Sequence, residues 1–188
     1  MIRLKNISLS FEDKTVFKDF SFDFPRKGLV LVTGDSGSGK TSLIKIILGI
    51  IKADDGRVDV DCTKISTVFQ EDRLVPTLTA LQNIELVASK DDALNRLKQV
   101  NLFDSRFKFP SELSGGMKRR VALARALAYG GDVLVLDEAF TGIEDDLAKD
   151  IISQIYEEFK DKLIIAVTHR TELFSSVNHE ICKIQPLF

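Results

Sequence analysis

The stretch Gly34-Asp35-Ser36-Gly37-Ser38-Gly39-Lys40-Thr41 constrains this chain more than any other. Gly34 and the Gly39-Lys40-Thr41 end stand at the spacing of a P-loop. They lie between an apolar run, Leu29-Val30-Leu31-Val32, and a helical pattern from Leu43-Ile44 to Ile46-Ile47-Leu48. Glycines 34, 37 and 39 can take positive φ angles, so the backbone N–H groups from Gly34 to Ser42 can converge on phosphate oxygens. The helix that begins at Lys40 adds the positive end of its dipole. Lys40 would reach the β- and γ-phosphates, and the Thr41 hydroxyl would bind Mg²⁺. A loop that merely turns strand into helix does not require these residues at this spacing. A dinucleotide-binding turn would need glycine where Ser42 stands.

Around this loop the chain divides by periodicity. Residues 2 to 9 read as a strand, and Phe20, Phe22 and Phe24 alternate with Ser21 and Asp23 in a second, sharing one face. Pro25-Arg26-Lys27-Gly28 turns into the strand that delivers the P-loop. Gly49 and Asp54-Asp55-Gly56 end its helix, and Arg57 to Asp61 and Ile65 to Phe69 read as strands. From Thr79 a helical period takes over: Leu81, Ile84, Leu86, Val87, then Leu94, Leu97 and Val100. Ser114 is a good N-cap for a helix carrying Val121, Leu123, Ala124, Ala126 and Leu127. Val133 to Leu136 and Leu163 to Val167 are short apolar runs of the buried parallel kind, with a helix from Leu147 to Phe159 between them. The order predicts an α/β fold: a P-loop NTPase core with a mixed sheet, an N-terminal antiparallel β-subdomain and an inserted helical subdomain. We expect a single domain over 1–188, with the core in 1–70 and 130–188 and the helical subdomain in 71–129.

The 188 residues leave no room for two independent enzymes. Lys plus Arg (26) against Asp plus Glu (28) gives a net charge of −2, which lacks the basic excess of a nucleic-acid binder. The N-terminus has no signal-peptide pattern, and no run of about 18 apolar residues occurs, so a soluble, cytoplasmic protein is expected. Cys62 and Cys182 are isolated and read as small buried hydrophobes.

The ends of the apolar strands carry the remaining chemistry. Asp137 follows four apolar residues, as suits an acid that holds a nucleotide's Mg²⁺, and Glu138 beside it can polarise an attacking water. Gln70 and His169 close two other strands. By itself Gln70 reads equally well as a structural strand-end residue, and a lone histidine after a strand is more often structural than catalytic.

Phe11, the P-loop, Gln70, Leu113-Ser114-Gly115-Gly116-Met117, Val133 to Glu138 and His169, in that order, resemble the nucleotide-binding subunit of an ABC transporter. The resemblance covers nearly the whole chain. It implies that Phe11 stacks on adenine, that Gln70 contacts metal or water, that Glu138 is the catalytic base and that His169 contacts the γ-phosphate. ATP and Mg²⁺ are then the cofactors. Ser114, Gly115 and Gly116 sit at a helix N-terminus, an anion site too far along the chain to be assumed to serve the same P-loop. In the family they face the nucleotide of a second ATPase subunit in a head-to-tail dimer.

The resemblance further implies a transmembrane permease on a separate chain, docked by residues 70 to 112, with membrane association indirect and at the inner face. The wording from Val68 to Pro76 and the LSGGM variant look most like bacterial importer subunits for nitrate, sulfonate or taurine. Other readings are an ABC-type ATPase driving a non-transport machine, such as lipoprotein release or cell division, and a regulatory module without turnover. The chain departs from the family pattern at Phe11, more often Tyr, at Arg119, often Gln, and at Glu144, usually Asp. Its end at Phe188 leads us to expect no regulatory C-terminal domain.

Overall fold

A computed structural model describes residues 1–12 and 14–185. Its strands fall into two sheets. Strands β1 (Ile2–Phe11), β2 (Lys14–Phe24) and β4 (Asp55–Val60) form an antiparallel sheet in the order β2-β1-β4. Strands β3 (Gly28–Thr33), β5 (Ile65–Val68), β6 (Val133–Asp137), β7 (Leu163–Val167) and β8 (His179–Lys183) form a second sheet, ordered β5-β6-β7-β3-β8. Every pairing in the second sheet is parallel.

The all-apolar strands are explained by burial on both faces. One face sends Leu29, Leu31, Leu134, Leu136, Ile164 and Ala166 into a cluster shared with the helices after residue 80. The other sends Val30, Val32, Val133, Val135, Ile165 and Val167 into a cluster with the antiparallel sheet and helix α1 (Lys40–Ile47). Phe20, Phe22 and Phe24 do lie together toward this second cluster, with only Phe24 fully buried.

Helices α2 (Ala80–Glu85), α3 (Lys90–Gln99) and α4 (Gly115–Tyr129) pack on one another, and α5 (Asp145–Glu158) runs between β6 and β7. Caps set their limits. The Thr79 hydroxyl and the Gln82 side chain form a reciprocal capping box at the start of α2, and Ser89 accepts from Asp92 N–H to start α3. The apolar period that predicts helix through Val87 therefore overruns. Helix α2 stops at Glu85 and α3 begins at Lys90, leaving Leu86 and Val87 exposed on the turn between two capped helices. Cys182 is buried as expected, whereas Cys62 is only half-buried. Strand β8 has no counterpart in the sequence reading. Cys182 is its one fully buried side chain, so an edge strand with so little apolar pattern gives no period to read.

Candidate active site

Strand β3 delivers the P-loop into α1, and the loop's geometry explains its glycines. Gly39, the N-cap of α1, has φ 102°, and a Cβ there would stand 2.5 Å from Val16 Cγ1 and 2.9 Å from Phe17 Cζ. Strand β2 thus presses against the P-loop from the antiparallel sheet.

A cleft of about 350 Å³ opens here, lined by Phe11, Ser36, Gly37, Gly39, Lys40, Thr41, Ser42, Gln70, Asp137, Glu138 and His169. Residues drawn from the ends of β1, β5, β6 and β7 and from the start of α1 therefore converge on one space. Gly34, Asp35 and Ser38 shape the loop from behind: Lys40 Nζ donates to Gly34 O (2.9 Å) and Asp35 O (2.8 Å), and Ser38 N–H donates to Asp35 O. Burial lowers the pKa of Lys40, opposed by the charges of Glu138, Asp137 and Asp35.

Asp137 ends β6 almost completely buried. Burial raises its carboxyl pKa; the neighbouring Thr41 hydroxyl acts the other way, the charge of Glu138 raises it further, and Lys40 and Lys45 lower it. Its Oδ1 has no hydrogen-bond partner. A buried, unpartnered carboxylate oxygen next to a threonine hydroxyl is a hard-oxygen donor set, so the residues present fit Mg²⁺. Among the described residues no group of three or more His, Cys, Asp and Glu side chains could hold a metal. Such an ion would therefore rest on few side chains and on phosphate oxygens, as Mg²⁺ commonly does.

Glu138 follows in a left-handed conformation, φ 52°, with its N–H donating to Val167 O at 3.0 Å. That turn swings its side chain out of the strand line. The Thr141 hydroxyl donates to its Oε2 at 3.4 Å, and its Oε1 stands 3.6 Å from His169 Nε2 without a hydrogen bond. Phe11 lies on the rim, half exposed, where a ring in the core would not be.

Ser114, Gly115 and Gly116 are not part of this cleft. Ser114 caps α4, its Oγ accepting from Met117 N–H at 3.2 Å, and is exposed with Gly115. Gly116 packs so close to Gly142 O, in the loop after Glu138, that no Cβ fits.

Several residues escaped the sequence reading. Lys14 and Val16 line the cleft, and Lys14 is the β2 register partner of Phe11, a pairing the hairpin spacing could have suggested. Arg170 donates to Phe140 O and Ile143 O and pairs with Asp145, tying the loop after β7 to the loop after β6. No sequence signal marks it.

A parallel sheet whose strand ends gather a P-loop, two acids, a glutamine and a histidine defines a P-loop nucleotide-binding cassette. A family model described as ABC transporter matches residues 17–141, and the chain belongs to that family. It is 34% identical over 165 residues to an aliphatic sulfonates import ATP-binding protein of Rhodococcus jostii, covering 81% of this chain and 61% of the relative. A taurine import ATP-binding protein of Rhizobium johnstonii is 35% identical over 171 residues, covering 81% and 65%. The chain thus spans 61% and 65% of the length of these two curated relatives. Among solved structures, it superposes on a dimeric, post-hydrolysis ATP-binding cassette bound to ADP and Pi, with TM-score 0.89 and 27% identity, over 98% of this chain and 94% of that one.

Proposed function

We propose that this chain is the ATP-hydrolysing subunit of an ABC transporter, binding ATP–Mg at the P-loop and driving import of a small solute through a separate membrane subunit. The observation that carries the reading is the single cleft shared by Lys40, Thr41, Gln70, Asp137, Glu138 and His169. Lys40 and the P-loop N–H groups would hold the phosphates, Thr41, Asp137 and Gln70 would hold Mg²⁺, Glu138 would accept the proton of the attacking water, and His169 would steady the γ-phosphate. Bound Mg²⁺ would neutralise charge on the phosphate oxygens. Phe11 offers its ring to adenine.

Because Ser114 to Gly116 stand outside this cleft, their anion-binding N–H groups serve the nucleotide of a second ATPase subunit, identical or different, in a head-to-tail dimer. The dimeric state of the superposed cassette supports this. The import direction is supported by relatives named as sulfonate and taurine import proteins. Residues 71–129 act as the helical subdomain on the 1–70 and 130–188 core, and the permease docks on the segment from 70 to 112. That segment exposes Val75, Leu86, Val87, Phe107 and Phe109, an apolar set that a partner would cover. Among the described residues no helix is long and apolar enough to cross a membrane, so the chain would sit at the inner membrane face through that partner.

The test is steady-state hydrolysis of Mg-ATP by the purified chain beside Lys40→Ala. Turnover that disappears with Lys40 supports the reading, and Lys40-independent turnover refutes it. Co-purification with a membrane protein, lost on Val87→Glu, tests the transport coupling; recovery of the chain with a soluble machine instead would favour the non-transport reading.

A further inference from the structure

One arginine ties helix α4 to the loop that carries Gln70. Arg119, on the second turn of α4, donates from Nη1 to Phe69 O at 2.8 Å and from Nη2 to Gln70 O at 2.5 Å. Nη1 also stands 3.1 Å from Asp72 Oδ1, a charge contact that adds no hydrogen bond to that oxygen. The Arg119 side chain is only 11% exposed, so little water competes for these contacts. A guanidinium presents its donors in a fixed planar fork, whereas a lysine offers a single point charge. Further along the same helix, Arg125 Nη2 donates to Asp72 O at 3.1 Å. On its other side Arg120 Nη1 donates to Val100 O and Asn101 O at 3.0 and 2.9 Å. Helix α4 is therefore held to the 69–72 loop by the arginines at 119 and 125, and Ser114 to Gly116 begin that helix.

We propose that Arg119 is a positioning residue that couples the two half-sites of one subunit. Gln70 faces the nucleotide of its own P-loop, and Ser114 to Gly116 face the nucleotide of the partner. Arg119 lies five residue steps beyond the Ser114 cap, about 7.5 Å along a rigid helix axis. A shift of the Gln70 backbone toward metal or γ-phosphate therefore pulls α4 through the two Arg119 hydrogen bonds and re-aims the Ser114 cap. The coupling travels through packed, hydrogen-bonded groups with defined partners at each end. This inference rests on the ATP-hydrolysing dimer proposed above. A purely structural Arg119 would hold the fold together and lower stability when removed, without separating the response of the two segments.

The experiment compares the full-length wild type with Arg119→Ala and Arg119→Lys by thermal unfolding, ATP kinetics and hydrogen exchange. Exchange is followed at 70–72 and 114–117 with and without Mg-ATP, each variant being carried on Glu138→Gln to stop turnover. We expect Arg119→Ala to lower kcat about tenfold or more while KM for ATP stays within about twofold, with Arg119→Lys between the two. ATP should slow exchange at both segments when Arg119 is present, and at 70–72 alone when it is replaced by alanine. A kcat within about twofold of wild type, or ATP-slowed exchange persisting at 114–117 in Arg119→Ala, overturns the proposal. If Arg119→Ala does not fold, Arg119→Lys decides by the same readouts. If the wild type shows no turnover, the ATPase reading fails, and the exchange comparison still decides whether Arg119 couples the segments.

Discussion

His169 Nε2 stands 3.6 Å from Glu138 Oε1, across the ends of two neighbouring parallel strands. Glu138, which the sequence marks as the water-polarising acid, and His169, which it leaves ambiguous, are thus brought to the same cleft. The left-handed turn at Glu138 is the device that does it: after a strand buried on both faces, φ 52° redirects the next side chain into the opening. Glu138→Gln keeps the shape and removes the basicity. It should retain ATP binding, cut hydrolysis by about a hundredfold or more, and favour an ATP-bound dimer in size-exclusion chromatography. Wild-type turnover in the purified variant would remove Glu138 from the base role.

Gly39→Ala tests the contact between β2 and the P-loop. Alanine there meets Val16 and Phe17 and must also hold a φ of 102°. The variant should lose about 1–3 kcal/mol of stability by thermal unfolding and bind ATP more weakly, because relieving the clash distorts the N-terminus of α1.

Phe11 is half exposed, so its removal should cost stability little. Phe11→Ala should raise KM for ATP by about tenfold, the worth of one aromatic stacking contact of about 1.4 kcal/mol, while Phe11→Tyr keeps the π-face and the wild-type KM. Equal KM values in all three proteins would remove Phe11 from the adenine site.

Glu158 joins α5 to α3. Arg96 Nη1 and Nη2 donate to its two carboxylate oxygens at 2.6 Å each. Partial burial pushes the carboxyl pKa up, and the hydrogen bonds and charge of Arg96, with Gln99 and Lys162, more than reverse this, leaving it below the usual glutamate value. A depressed folded-state pKa gives stability that is present above the unfolded pKa and lost as pH falls through the folded one. Glu158→Gln should therefore lower stability by about 0.5–1 kcal/mol at pH 7, solvent screening its exposed edge. The difference from wild type should vanish at pH values below the depressed pKa. A constant difference across that range in denaturant titrations would contradict the pairing.

The sequence made legible whatever depends on local chemistry and strong periods: the P-loop, the apolar strands ending in Asp137, and the Ser114 cap. It did not show what depends on tertiary satisfaction. Asn83 looks like one more polar residue in a helical segment, yet it is fully buried, its amide donating to Val75 O, Leu78 O and Thr79 O. The ties made by Arg170 and Arg119 were not visible because most of their acceptors are backbone carbonyls of distant loops, which no side-chain pattern encodes. Strand β8 is found through its pairing with β3, with Cys182 its only fully buried side chain.

The central claim is that the loop from Gly34 to Thr41 is half a site, completed by Ser114 to Gly116 of another subunit. Mixing Lys40→Ala with Ser114→Arg subunits, each inactive alone, tests it most directly. Random pairing makes half the dimers hybrids with one intact site, so ATPase activity should recover to about a quarter of wild type if one site suffices for turnover. Full activity in Ser114→Arg alone, or no recovery when hybrid dimers are shown to form, would contradict the account.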